Sequence, residues 1–155
     1  MKSIYLDASV PSCYYEKDTS ERGKITRKWW DSQINSYRVV ISTLMLEELK
    51  ALETEDKREV LLSLVQGFPV VKVNPLAKKV AKSYIEEKII PYNAFNDALH
   101  IALVVVYSVD ILLTWDLAHL ARKEVERKVN AFNVISGYPR IRITTPEKLL
   151  KEGGK

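Results

Sequence analysis

Four acidic residues in this 155-residue chain fall where a carboxylate is hard to accommodate. Asp7 closes the apolar run SIYL, between Leu6 and Ala8, and Asp116 follows DILLTW. Asp97 leads ALHIALVVV, a run apolar on nearly every side, so its helix would carry it inward. The fourth is Glu48. Stepping ~100° per residue from Leu44, Glu48 falls near ~40°, inside the apolar arc of Met45, Leu49 and Leu52, whereas Glu47 falls near ~300° beside Lys50. No basic residue shares the Glu48 arc, and none compensates the other acids locally. Converging carboxylates raise one another's pKa unless a cation neutralises them. All-oxygen ligands suit Mg²⁺ or Mn²⁺, and such ions activate water for in-line displacement at a phosphodiester. Hydrolysis of nucleic acid is the expected chemistry. Plainer readings stand beside it: Asp7 could cap the helix that follows, Asp97 and Asn96 could complement a helix N-terminus, and Glu48 could pair with a distant Lys or Arg.

Strands alternating with helices would position these acids. Strands are expected in SIYLD, RVVIS, PVVKV, DILLT and RIRIT. Helices are expected over 11–35 with a break near Gly23, over 44–53, 57–68 and 76–90, over about 94–107, over 117–129, and after Pro146. That alternation predicts an α/β fold with a mainly parallel sheet covered on both faces. Ligands of such sheets bind outside the carboxyl ends of the strands, where Asp7 and Asp116 are expected. One domain over 1–150 with a frayed end at 151–155 is the expected organisation.

Composition narrows the class. Twenty-four Lys and Arg against 20 Asp and Glu give a net charge of +4, mildly favouring an anionic partner. Cys13 is the single cysteine, which excludes an intrachain disulfide and a cysteine-held zinc and suits a reducing cytoplasm. No stretch has the length of a signal peptide or a membrane span.

The segments YLDAS, ISTLMLEEL, NDALHIAL and LLTWDLAHLA, in this order and at these separations, resemble the PIN-domain nucleases, most closely the VapC-type toxins of toxin–antitoxin pairs. RITTPEKLL is similar to their final strand and helix. The resemblance implies a three-layer α/β/α sandwich, a Mg²⁺- or Mn²⁺-dependent endoribonuclease acting on RNA, a homodimer, and a small antitoxin partner. Position by position, it implies catalytic and metal-binding roles for Asp7, Glu48, Asp97 and Asp116, with Ser9 and Thr114 in support. Some relatives with a similar T-W-x-x-x-H ending carry Asn in place of Asp116, which implies that this acid tunes the site rather than founding it.

Other residues have blander readings. His100, one turn after Asp97, is expected to be a buried, satisfied histidine, and with only His119 besides, a histidine-rich metal site is not expected. Asp110 begins its strand at the far end and reads as a turn residue. Trp29 and Trp30, beside Arg27 and Lys28, are expected to pack in a core or dimer rather than stack on bases. Arg122, Lys123, Arg127 and Lys128 are candidates for holding an RNA backbone, with Lys78, Lys79 and Lys82 behind them. Two further classes compete: a PIN-fold RNA- or protein-binding module without turnover, for which Asp7 or Asp97 should be missing, and an aspartate phosphotransfer domain. The latter should show a second acid close behind Asp7 or a lysine at a late strand end, and DASVPS and RITTP have neither.

Overall fold

The computed structural model describes residues 1–16 and 20–153. Five strands, β1 (Ser3–Leu6), β2 (Arg38–Ser42), β3 (Val70–Val71), β4 (Ile111–Leu113) and β5 (Arg142–Thr144), form one sheet in the order β3-β2-β1-β4-β5. Every neighbouring pair is parallel, with Ile4 opposite Val39 on one side and Ile111 on the other. The chain leaves β1 toward β2 and β3, then crosses back to β4 on the other flank. The strand order therefore reverses between β1 and β4, and the crevice at their carboxyl ends is the switch point where α/β sheets bind ligands.

Eight α-helices and one 3-10 turn (Ile34–Ser36) complete the described fold: α1 (Ser9–Glu16), α2 (Glu21–Gln33), α3 (Thr43–Lys50), α4 (Glu55–Val65), α5 (Pro75–Glu86), α6 (Phe95–Val106), α7 (Lys123–Ser136) and α8 (Pro146–Gly153). Successive strand residues face opposite sides, which divides the core in two. Tyr5, Leu112 and Ile143 face α5, α6 and α7, while Ile4, Leu6, Ile41, Ile111 and Leu113 face α1, α2, α4 and α8. The result is the expected three-layer sandwich. α6 is buried along almost its whole length, as its apolar composition requires, and Trp29 and Trp30 lie in the second core rather than at the surface.

Several boundaries differ from expectation. Gly23 does not break the first helical region: it sits inside α2 and donates its N–H to the side chain of the N-cap Ser20. α1 ends at Glu16 and α2 begins at Glu21, and residues 17–19 fall outside the described residues. The helix expected over 117–129 begins only at Lys123. Asp116 ends β4's extension in a single turn, its carbonyl accepting from Leu120 and Ala121 N–H, and Arg122 is then extended before α7 starts. α7 continues past Val129 to Ser136 and stops at Gly137, whose φ of 81° is the left-handed conformation of a helix C-terminus. The end expected to fray from Lys151 is helical through Gly153, with Lys151 near Glu147 and Arg142 paired with Glu152.

Candidate metal and active site

The crevice between the carboxyl ends of β1 and β4 is built on Asp7. Its side chain is only 6% exposed, and it does not cap α1 in isolation but is held from two sides. Oδ1 accepts from Ser9 N–H at 3.1 Å and from the Ser9 hydroxyl, and Oδ2 accepts from the Thr114 hydroxyl. Both hydroxyls are themselves anchored: Ser9 Oγ accepts from Trp115 N–H across the crevice at 2.8 Å, and Thr114 Oγ1 accepts from Asp116 N–H within its own loop at 3.0 Å. Ser9 and Thr114 thus stitch the β1 and β4 loops together around one carboxylate. Burial still dominates, so the Asp7 carboxyl is pushed above its ordinary range despite the pull of His100 and of these bonds.

Asp116 divides its carboxylate. Oδ1 accepts from Ala118 and His119 N–H, shaping the turn, and Oδ2 lies 3.7 Å from His119 Nδ1. The same Nδ1 lies 3.1 Å from Asp97 Oδ2, at the start of α6. Asp97, Asp116 and His119 each present a ligand atom within 4.8 Å of the others. Asp97 is raised above the usual carboxylate range by burial and then by Asp116, against the opposing pull of His119 and His100.

Glu48 enters from α3, a short helix started by Ser42, whose hydroxyl accepts from Met45 N–H. The helical phase is as expected: Glu47 is exposed, Glu48 half-buried. Its Oε1 lies 2.8 Å from His100 Nε2. His100 also feels Asp7 and Asp97; burial lowers its basicity, yet Glu48 and these two acids together raise its pKa above the ordinary value. Local sequence offers the acids no basic partner, but the fold brings two histidines to them. His100 meets them from inside and His119 from the exposed side, each brought in from an element remote in sequence from Asp7 and Glu48.

Asp97 and Asp116 are therefore adjacent, Asp7 reaches Asp116 through Thr114, and Glu48 is tied to His100. His119, set aside in sequence because two histidines do not make a histidine-rich metal site, joins the acids because its segment is a turn rather than the expected helix. The donor set, carboxylate oxygens with one imidazole nitrogen, is of a kind that can hold a divalent cation.

All four basic candidates, Arg122, Lys123, Arg127 and Lys128, are exposed at or near the start of α7, with Glu124 lying 2.9 Å from Lys128 and 3.8 Å from Arg122. Arg122 and Lys128 line a cleft with Lys88, Glu124 and His119, the last of which also belongs to the acid cluster. Lys78, Lys79 and Lys82 are exposed on α5. Asp110 lies at the other end of the sheet and accepts from Ser3 N–H and hydroxyl, the structural role expected of it. A wide cleft lined by Ser3, Tyr37, Arg38 and Val109 lies at that same end, away from the crevice acids. Among the described residues no helix is long and apolar enough to cross a membrane.

No protein-family model and no curated protein matches the sequence. Solved structures do match the fold. The toxin VapC20 of Mycobacterium tuberculosis, which cleaves the sarcin-ricin loop, is 16% identical, with a TM-score of 0.57 over 76% of this chain and 92% of that one. VapBC2 of Rickettsia felis, solved bound to a DNA fragment from its promoter, is 13% identical, with a TM-score of 0.56 over 92% of this chain and 98% of that one. With its parallel five-stranded sheet, its helices on both faces and its acids at the β1–β4 switch point, the chain has the PIN-domain fold of the VapC toxins.

Proposed function

We propose that this protein is a metal-dependent endoribonuclease, the toxin of a toxin–antitoxin pair. The observation that carries the reading is the convergence of Asp97, Asp116 and His119 within 4.8 Å at the switch-point crevice that Asp7 closes. The buried Asp7 and the half-buried Asp97 both have carboxyls raised above their ordinary range, an electrostatic strain that a divalent cation relieves. Asp7, Asp97 and Asp116 would hold the ion, with His119 within reach and Glu48 as the fourth acid. When bound, the ion supplies an activated water and stabilises charge at the phosphoryl oxygens. The chain's own work is positional. Ser9 and Thr114 aim both oxygens of Asp7, the Asp116 turn presents one oxygen to the crevice, and Arg122 and Lys128 lead an RNA backbone along their cleft toward it. An antitoxin that covers this crevice, a homodimer and a cytoplasmic location complete the proposal, supported by the fold shared with VapC20 and VapBC2.

The decisive assay is cleavage of a mixed RNA substrate by the purified protein with Mn²⁺, with Mg²⁺ and with chelator, alongside Asp97→Asn. Internal cleavage that needs the ion and disappears in Asp97→Asn is expected. Ion-independent cleavage, or full activity in the variant, would overturn the mechanism, and RNA binding without any cleavage would mark a module without turnover.

A further inference from the structure

His100 does more than fill space in the core. It is 2% exposed on α6, one turn beyond Asp97, and its two ring nitrogens are both engaged. Nε2 meets Glu48 Oε1 at 2.8 Å, and Nδ1 meets the Tyr5 hydroxyl at 2.6 Å. That hydroxyl lies 2.7 Å from Ser42 Oγ, which in turn accepts from Met45 N–H at 3.0 Å. A continuous buried chain therefore runs from the N-cap of α3, through the centre strand β1, to α6, and back to Glu48 on α3.

The directions of these bonds follow from the groups. An ionised carboxylate only accepts, so Nε2 must carry a proton. With a neutral ring, Nδ1 accepts from Tyr5 O–H and Tyr5 Oη accepts from Ser42 O–H, which satisfies every member. With a protonated ring the Tyr5 link reverses, and Nε2–H still points at Glu48. Either way the donor aimed at Glu48 is the same, and it is aimed by packing on three elements. Glu48 needs such an anchor, because its side chain has several rotors and is 31% exposed on an eight-residue helix.

We propose that His100 is a positioning residue for the metal centre: held by Tyr5 and Ser42, its Nε2–H fixes the Glu48 carboxylate in its ligating orientation. This rests on the metal-dependent reading above. Outer partners that orient a metal-binding carboxylate typically change metal affinity by roughly 10–100-fold when removed.

The test exploits the geometry of amide side chains. A Gln amide nitrogen can reproduce Nε2 of histidine, whereas an Asn amide nitrogen reproduces Nδ1. Mn²⁺ affinity, read by electron paramagnetic resonance of the free ion, is measured for wild type, His100→Gln and His100→Asn, and for each variant combined with Glu48→Gln. Thermal melting without metal runs in parallel. His100→Asn should weaken Mn²⁺ binding on the order of 10–100-fold, His100→Gln should stay close to wild type, and the Asn effect should vanish when Glu48 is already Gln. Both variants disturb packing, so comparable losses of melting temperature are compatible with the proposal. Equal losses of Mn²⁺ affinity in the two variants, or an Asn effect that persists with Glu48→Gln, would reduce His100 to a core residue and overturn it. If His100→Asn does not fold, Tyr5→Phe takes its place: an affinity loss that disappears with Glu48→Gln supports the proposal, and unchanged affinity overturns it. A wild-type protein that binds no Mn²⁺ would overturn the metal reading itself and this inference with it.

Discussion

Replacing Asp7 by Asn should stabilise the metal-free protein while removing its response to metal. Asp7 is 6% exposed and accepts from Ser9 N–H, Ser9 O–H and Thr114 O–H. Asn keeps the Ser9 bonds, since Oδ1 can accept both Ser9 donors, but the Thr114 bond reverses: Nδ2 donates to Thr114 Oγ1, whose own proton must turn toward Ser9 Oγ, 3.5 Å away. The larger change is the removal of the buried charge. Enclosing an ion has an effective penalty of several kcal/mol, and hydrogen bonds to a charged group return about 1.5–3 kcal/mol each. Burial wins that balance here, because the carboxyl is raised above its ordinary value of 3.8. A net relief of about 1–2 kcal/mol is reasonable on the scale of buried polar exchange, and at about 2–4 °C per kcal/mol for a chain of this size the variant should melt about 2–8 °C higher without metal. The sign can be checked with pH. A carboxyl whose folded pKa is raised contributes stability that is fully present below its unfolded pKa and lost as pH rises through the folded one. The advantage of Asn should therefore be full above the folded pKa and close as pH falls through it toward 3.8. Saturating Mn²⁺ should then reverse the order, because a ligand at a hundredfold excess over its Kd stabilises the wild-type fold by about 2.7 kcal/mol. Calorimetry at neutral and acid pH, with chelator and with Mn²⁺, measures all three effects. An Asn variant that melts below wild type in chelator at neutral pH, or a gap indifferent to pH, would refute the reasoning.

Glu48→Gln should lower RNA cleavage far more than Glu47→Gln, since only Glu48 meets His100 and Glu47 is exposed; single-turnover rates with equal effects would show that the α3 acid is not part of the site. Neutralising Arg122, Lys123, Arg127 and Lys128 together should weaken RNA binding and flatten its salt dependence by roughly 0.7 in log–log slope for each phosphate that is no longer neutralised, with Mn²⁺ affinity nearly unchanged. Binding isotherms across salt concentrations that keep the wild-type slope would assign these residues to the solvated face of α7.

The strands were legible because short β-branched runs bounded by turn residues leave little ambiguity: RVVIS is β2 residue for residue, and SIYL and ILL lie inside their expected segments. Helix ends were less so. LAHLARKEVERKV has one helical period throughout, yet Asp116 captures its first residues in a turn, and Asp116's own carboxylate and carbonyl make that bond set. The actual stop, Gly137 followed by Pro139, was a readable signal eight residues beyond the expected end.

Within the site, local chemistry was enough to nominate Asp7, Glu48, Asp97 and Asp116. An acid at a strand's carboxyl end, on an apolar helical arc or leading a buried helix is anomalous wherever the chain later goes. The phase of α3 separated Glu48 from Glu47 by angle alone. Compensation between these acids was beyond local reading, because charge pairing depends on distance in space. His100 lies 52 residues from Glu48 and 95 from Tyr5, and it meets both only because β1 is the centre strand with α3 and α6 converging at its carboxyl end. His119 meets Asp97 only because its segment turns instead of continuing as helix. Sequence by itself determined which acids could do the chemistry, through residue type and local period. Only the tertiary structure decided which of them share a field, since Coulomb and hydrogen-bond energies fall off over a few ångströms and the sheet order sets those distances.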